Sequence, residues 1–448
     1  MKRTKNKIIR INKSLYPNTG IGEYNGIKYK IKNTIPGQTI EARLKTKKSG
    51  IGKGNLINII EKSKIQGKSR CKVFPVCGGC NYQDLKREDE LNLKFEQVSN
   101  LFESLDLIKP KEIITADIYE HYRNKMEYTF GDDIKDGPLN IGLHARGRMH
   151  DIVSTDGCNI APKDFETIRK FFENYFRNSK LKHYNRYRKT GELRHLVLRY
   201  AKATKEILVM LVTKSNAKIN FEELKNKLKE LDLNGEIKGF LHIKNDSISD
   251  AVIPESVDLI FGRDFIEEKI CGLKFKITPF SFFQTNVDSA KILYNEALKM
   301  AESIKPNLVY DLYSGTGTIT QIMAKIANRA VGIEIVEEAV ISAKESAKEN
   351  GLNNVDFFAG DVFETLAYLP EKPDLIIVDP PREGIRPKAL EKIIDYGAKH
   401  IIYISCNPKT MAENLVQMKD YYKIEELKIV DQYPSTYHVE TVAMMSRK

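Results

Sequence analysis

The sequence predicts a multidomain α/β protein in three parts: a small N-terminal OB-like β-barrel, a central α+β domain, and a C-terminal Rossmann-like, doubly wound domain. Three stretches support that expectation. Between Gly20 and Glu61, Ile27, Tyr29, Ile31 and Ile40, Ala42, Leu44 alternate with polar residues; Leu56, Ile57, Ile59 and Ile60 then follow almost without a break, with Gly and Pro turns between the runs. From 120 to 260, strand-like runs at 196–199, 207–212 and 239–243 are interleaved with helical spacings at 164–178 and 220–231. From about 270 onward the rhythm is strand, glycine loop, helix, strand: 308–313, 318–327, 330–335, 337–350, 355–358, 375–378 and 401–404. The expected boundaries are 1–62, 63–268 and 269–448. Residues 87–107 place Leu91, Phe95, Val98, Phe102 and Leu105 at helical spacing, which predicts a helix that packs on another domain.

A chain of 448 residues that is 41% hydrophobic has room for several real cores. No run approaches the roughly 20 apolar residues of a membrane span, and residues 1–10 are basic without the apolar core of a secretion signal. The expectation is a cytoplasmic protein with no membrane partner and no obligate protein partner. Its charge is uneven. Residues 1–70 hold 18 Lys and Arg against three Glu, a local +15 that leaves −3 on the remainder of a chain whose net charge is +12. Such a field on one small unit suits a polyanion such as RNA, because each neutralised phosphate releases counterions. A solvated basic tail is the alternative, and the strand-like alternation over 24–60 argues against it. No internal repeat or low-complexity segment is evident.

The segment 311–318 reads DLYSGTGT, with small residues where a strand turns into a helix, so that backbone can approach a ligand closely. Dinucleotide sites follow G-x-G-x-x-G, whereas Gly315 and Gly317 are followed by Thr318 and Ile319. The next strand ends in Glu334, an acid able to accept both ribose hydroxyls, and Asp361 closes the third strand in position to face an adenine. A lone acid at a strand end is usually solvated. Three in register fit the S-adenosylmethionine order better than the dinucleotide order. Asp379, Pro380, Pro381 and Arg382 follow another strand and predict a rigid loop. Methyltransferases of exocyclic amines carry an aromatic after such prolines, and Arg382 argues against that target.

Cys406 ends the apolar run 401–404 inside Ser405, Cys406, Asn407, Pro408. A free thiol with pKa about 8.5 is only a few per cent thiolate at neutral pH, so a reactive one needs a polar or positive setting. The plain alternative is a small buried hydrophobe. Cys271, beside Gly272, reads as a turn residue. Cys71, Cys77 and Cys80, with Cys158 downstream, offer four thiols to one site. Six cysteines without framework spacing favour metal or catalysis over disulfides. Structural zinc usually takes two C-x2-C pairs and only one is present, although zinc stays open. The C-x3-C-x2-C run of radical enzymes is missing.

DLYSGTGT, Gly332-Ile333-Glu334, the 379–382 loop, ISCNP at 404–408 and HVE at 438–440 together resemble the RNA (uracil-5-)-methyltransferase family, in its 23S rRNA type with a TRAM barrel and an iron–sulfur cluster. The resemblance covers essentially the whole chain. It implies methylation of carbon 5 of a uridine, with Cys406 adding to carbon 6 and Glu440 removing the carbon-5 proton, and His438 as an orienting neighbour. The chemistry agrees with those residue types: carbon 5 of uracil is a poor nucleophile until a thiolate adds to carbon 6 and converts the ring to an enolate. The resemblance further implies S-adenosylmethionine contacts at Gln284, Tyr313, Thr318, Glu334, Asp361 and Asp379. Asp379 could equally hold the uracil edge. It implies a [4Fe-4S] cluster on Cys71, Cys77, Cys80 and Cys158, and RNA contacts at Arg123, Asn124 and Lys125 in the YRNK segment. Ribosomal RNA is the favoured substrate and tRNA the alternative. A non-catalytic redox-sensing RNA-binding protein is a remote third, since it has no need of Cys406 and Glu440 together.

Overall fold

The computed structural model describes residues 6–45, 50–249, 251–369 and 371–448, and within them the chain forms two compact units. Lys2, Arg3, Lys5, Lys47 and Lys48 of the basic N-terminal region lie outside the described residues. The first unit comprises residues 1–70, 81–115 and 371–448; the second comprises 71–80 and 116–370.

The first unit opens on a closed five-stranded barrel: Lys7–Leu15, Thr19–Tyr24, Ile27–Lys32, Gly52–Glu61 and Thr39–Lys45 in spatial order. Alternation places Ile9, Ile11, Tyr29, Ile31, Ile40 and Ala42 inside. Gly52 is required there, because a Cβ would sit 2.5 Å from the Tyr29 ring. The first strand was not predicted. Its outward Lys, Arg and Asn side chains mask the two inward isoleucines. Conversely, the apolar run near 56–60 does not mark a buried face, for Ile57 and Ile60 are exposed.

The predicted helix is present as Arg87–Glu103, and it packs through a charged stripe as much as an apolar one. Leu93, Val98 and Phe102 are buried, but so are Glu90, Lys94 and Gln97. Lys94 Nζ lies 2.8 Å from Glu90 and 2.6 Å from Asp431, with all three side chains fully buried, and Arg87 also pairs with Asp431. Leaving one such charge without its partner costs about 3–5 kcal/mol, so the set holds together or not at all. Gln97 donates to Ser14 Oγ at 2.7 Å, fixing the barrel's first strand to this helix. The same unit holds the parallel strands Leu375–Val378 and His400–Ser405, then Glu440–Arg447 antiparallel to His400–Ser405, and Tyr422–Val430 antiparallel to Glu440–Arg447, with Ile113–Ile114 parallel to it at the edge. The antiparallel pair at the C-terminus was not predicted.

In the second unit a seven-stranded sheet runs Ser256–Gly262, Glu236–Lys244, Glu206–Thr213, Leu193–Ala201, Lys125–Gly131, Asn140–Ala145, Arg148–Ser154. Helices Lys163–Arg177 and Phe221–Lys229 cover one face, burying Phe165, Phe172, Phe176 and Leu224. The α+β expectation holds, with each predicted strand lengthened by one to three residues at its ends, the helix at 164–178 shifted by one residue and that at 220–231 shortened. Three parallel strands follow, Val355–Ala359, Arg329–Glu334 and Leu308–Leu312. Cys271 and Gly272 both have positive φ, 50° and 78°, and make the two-residue turn of the hairpin Ile266–Ile270 and Leu273–Ile277, as the sequence led one to expect. No helix among the described residues is long and apolar enough to cross a membrane.

Candidate active site

In the first unit, Cys406 lies between the strand His400–Ser405 and the helix Pro408–Met418. Ile401, Ile402 and Ile404 anchor the strand in the core, and Asn407 caps the helix by accepting from Lys409 N at 3.3 Å. Cys406 is therefore held at a rigid strand-to-helix corner, partly exposed. Burial pushes its thiol up to about 12; the Glu440 and Asp379 carboxyls add to the rise and Arg382 opposes it. Glu440, 3% exposed, begins the strand Glu440–Arg447, and burial, then Asp379, hold its carboxyl well above the usual range. Cys406, Glu440, Asp379 and Arg382 thus share one electrostatic neighbourhood. In it, burial disfavours the charged form of both the Cys406 thiol and the Glu440 carboxyl.

These groups are held by neighbours, of which the sequence reading named His438 and missed Asn414, Tyr437 and Tyr16. Asn414, buried, accepts from Ile385 N at 3.0 Å and Tyr403 OH at 2.8 Å and donates to Ile385 O at 3.0 Å, clamping the proline loop to the cysteine's helix. Asn407 Nδ2 donates to Arg382 O at 3.0 Å. Arg382 reaches His438 Nδ1 at 3.4 Å, and the His438 ring lies 4.1 Å from that of Tyr437. Tyr437 in turn meets Tyr16 edge-on at 6.4 Å. Tyr16 stands in the first turn of the barrel, and burial holds its phenol above the ordinary value, with Arg382 opposing and Tyr437, Cys406 and Glu440 adding. Nothing near Tyr16 in the sequence announces this. The segment ahead of Glu440 is pinned at Ser435, whose N donates to Glu90 at 2.6 Å and whose O accepts from Asn81 N and Tyr82 N at 2.8 and 2.9 Å. Arg70 donates to Ser435 Oγ at 3.1 Å.

In the second unit the DLYSGTGT segment turns at Tyr313, Gly315 and Gly317, all at positive φ. A Cβ on Gly317 would fall 2.6 Å from the Phe357 ring, so that glycine is packed, whereas one on Gly315 meets nothing within 4 Å. Glu334 accepts from Gly315 N and Val336 N, both at 3.0 Å, which ties the loop to the next strand; a carboxylate keeps lone pairs for further donors. Asp361 caps the helix Val362–Tyr368 through Glu364 N at 3.2 Å. Thr318 begins a short helix and is buried, and Gln284 is buried with its carbonyl accepting from Asn124 at 2.9 Å. Asp311, absent from the residues singled out above, is fully buried, accepts from Thr320 at 2.6 Å, and leaves Oδ1 without a partner. Burial raises its carboxyl to about 7. Ser314 Oγ is likewise unsatisfied. Buried polar atoms rarely stay orphaned, so both suit a polar ligand over this loop. The signal was legible: Asp311 heads the motif.

Cys71, Cys77 and Cys80 are buried and Cys158 partly so. Burial raises Cys77 and Cys158, and Cys71 raises both further, so these three thiols feel one another; Cys158 also packs beside Cys80. Gly79 N donates to Cys77 Sγ at 3.4 Å. Four soft donors so gathered fit thiolate metal chemistry, yet no group of three His, Cys, Asp or Glu among the described residues is placed to hold an ion. The four cysteines expected to carry a [4Fe-4S] cluster thus lie near one another without forming a metal site among the described residues. In the YRNK segment, Arg123 and Lys125 are half-buried, and Arg123 donates to Lys125 O at 3.1 Å. Asn124 is buried, and its backbone and side chain fasten the 284–285 segment.

A family described as tRNA (Uracil-5-)-methyltransferase matches residues 369–448, and one described as Methyltransferase small domain matches 272–402. An uncharacterized RNA methyltransferase of Clostridium tetani is 44% identical over 451 residues, spanning 100% of this chain and 99% of that protein. One from Clostridium acetobutylicum is 43% identical, spanning 97% and 96%. Among solved structures, the tRNA (uracil-54, C5)-methyltransferase of Pyrococcus abyssi, in complex with S-adenosyl-L-homocysteine, superposes with a TM-score of 0.76 at 25% identity over 98% of this chain and 100% of that one. Relatives matched end to end make this protein an RNA methyltransferase. The chain belongs to the RNA (uracil-5-)-methyltransferase family.

Proposed function

We propose that this protein methylates carbon 5 of a uridine in RNA, using S-adenosylmethionine as methyl donor. The observation behind the reading is the shared neighbourhood of Cys406, Glu440, Asp379 and Arg382. Gln284, Tyr313, Thr318, Glu334 and Asp361 hold the donor, with Asp311 added for its unsatisfied buried oxygen, and Asp379, beside Cys406, takes the alternative role of holding the uracil edge. The donor supplies an electrophilic methyl and a positive charge, and positive charge near Cys406 lowers its pKa. The Cys406 thiolate adds to carbon 6 of the uracil, making carbon 5 nucleophilic. After methylation Glu440 takes the carbon-5 proton, and the ring expels the thiolate. Arg382 stabilises the thiolate, and Tyr16, Tyr437 and His438 wall the base. The N-terminal barrel serves as a TRAM-type RNA-binding module within the three-part division at 62 and 268.

Ribosomal RNA of the 23S class is the first reading of the substrate. The whole-length likeness to an archaeal tRNA enzyme favours the second, tRNA, since an N-terminal barrel then fails to separate the two. Incubation with each RNA and labelled donor should yield 5-methyluridine in one of them. Absence of 5-methyluridine from both sinks the proposal. For the cysteines we keep the [4Fe-4S] reading, supported by four thiols in one neighbourhood. Protein purified without oxygen should be brown and carry iron and sulfide; colourless, iron-free protein overturns it.

A further inference from the structure

The second unit contains a cavity of about 480 Å³ lined by none of the residues assigned above to the donor, the thiol chemistry or the cysteine cluster; of the expected RNA contacts it includes Asn124. Its size is that of a small-ligand site. Lys163, Lys202 and Lys205 stand around it, with Tyr122 and Tyr200 in its wall. Lys202 is neutralised by Asp288, whereas Lys163 and Lys205 are exposed and have no carboxylate partner among the described residues. Its carboxylates are occupied. Asp164 accepts from Asn234 N at 3.0 Å and from Asn234 Nδ2 and Gly235 N at 2.9 Å, and Glu120 accepts from Asn159 at 3.1 Å. The free charge at the rim is therefore positive. Tyr200 is only half-buried, its ring braced edge-on by Phe165 at 6.4 Å, which leaves part of it open to contact.

Two unpaired ammonium groups beside a braced, partly open aromatic ring match a phosphate joined to a base. Unpaired nucleotides are bound in that way, by stacking on a ring with cations on the backbone. We propose that this cavity takes an unpaired nucleotide of the RNA substrate other than the uridine that reacts, with its phosphates at Lys163 and Lys205 and its base against Tyr200. The inference rests on RNA being the substrate. The cavity then reads a second unpaired nucleotide of the RNA, a kind of specificity that the reacting thiol cannot supply.

The test uses the full-length chain and the RNA that the wild type methylates, or, should it methylate none, a structured rRNA fragment that it binds. Lys163→Glu with Lys205→Glu should weaken RNA binding at least tenfold, and the slope of log affinity against log salt should become shallower by about 0.7 for each lost contact to a single-stranded phosphate. Tyr200→Ala should weaken binding roughly five- to hundredfold, without the change in salt slope. A charge-matched pair that does not line the cavity, Lys305→Glu with Lys348→Glu, should do neither. Equal losses in both pairs, or an unchanged affinity and slope in the first, overturn the proposal. Covalent capture of 5-fluorouridine RNA at saturating concentration reads the catalytic chemistry separately. Its failure in the wild type, with the binding losses intact, would remove the methyltransferase mechanism and leave this site standing.

Discussion

Cys406→Ala is expected to abolish methyl transfer, by a factor on the order of 10⁴ or more, the scale on which enzymes suffer when a covalent nucleophile is removed. Wild-type protein incubated with 5-fluorouridine RNA and donor should give a covalent band on a denaturing gel, because fluorine cannot leave carbon 5 as a proton. The variant should give none while still binding RNA. The wild-type band should also form faster as pH rises. A thiol pushed up to about 12 gains roughly tenfold in thiolate for each pH unit below that value, so the rate of capture climbs through the neutral range unless bound donor first lowers the thiol. Turnover that survives the alanine change, or a band that survives it, removes Cys406 from the chemistry.

Glu440→Gln is expected to do the opposite to the adduct: form it and fail to release it. Turnover should fall by about 10² to 10⁴, the usual worth of a positioned general base, and a covalent complex should build up even on ordinary uridine RNA. Glutamine is the informative replacement because burial already holds Glu440 towards its neutral form, so an uncharged amide of the same shape should leave the unfolding temperature close to that of the wild type. A carboxyl raised in this way is also a stronger base once ionised, which suits removal of a carbon-bound proton. Loss of turnover with no trapped complex would show that Glu440 acts before the thiol adds.

Much of this arrangement was legible in the sequence, and the parts that were not share a physical cause. Strands 375–378 and 401–404 were readable because both faces are buried, which demands unbroken apolar runs. Cys406 and Glu440 were readable because short motifs surround them. The helix at 87–103 was found by its period, but its apolar residues marked the buried face only in part: Val98 and Phe102 are buried and Leu91 and Phe95 only partly so, whereas Glu90 and Lys94 are fully covered. Hydrophobic periodicity cannot see a stripe of charges that satisfy each other. Tyr16 was invisible for another reason. Its place beside Tyr437 depends on how the barrel's first turn meets a segment more than four hundred positions away, and no local pattern encodes that. Asp311 was passed over inside the strand 308–313, although it heads the DLYSGTGT motif and keeps a buried oxygen without a partner.

The fastening of Ser435 has a practical outcome for anyone wishing to shorten this protein. The stretch that delivers Glu440 leans on Arg70, Asn81, Tyr82, Glu90 and Lys94, all of them far upstream. A catalytic cassette cut out at residue 269 would leave those braces behind and expose Asp431 without its cations. The C-terminal portion is thus no portable engine to be grafted onto other RNA-binding modules; the segment that carries Glu440 is held in place by residues 70–94 of the same polypeptide.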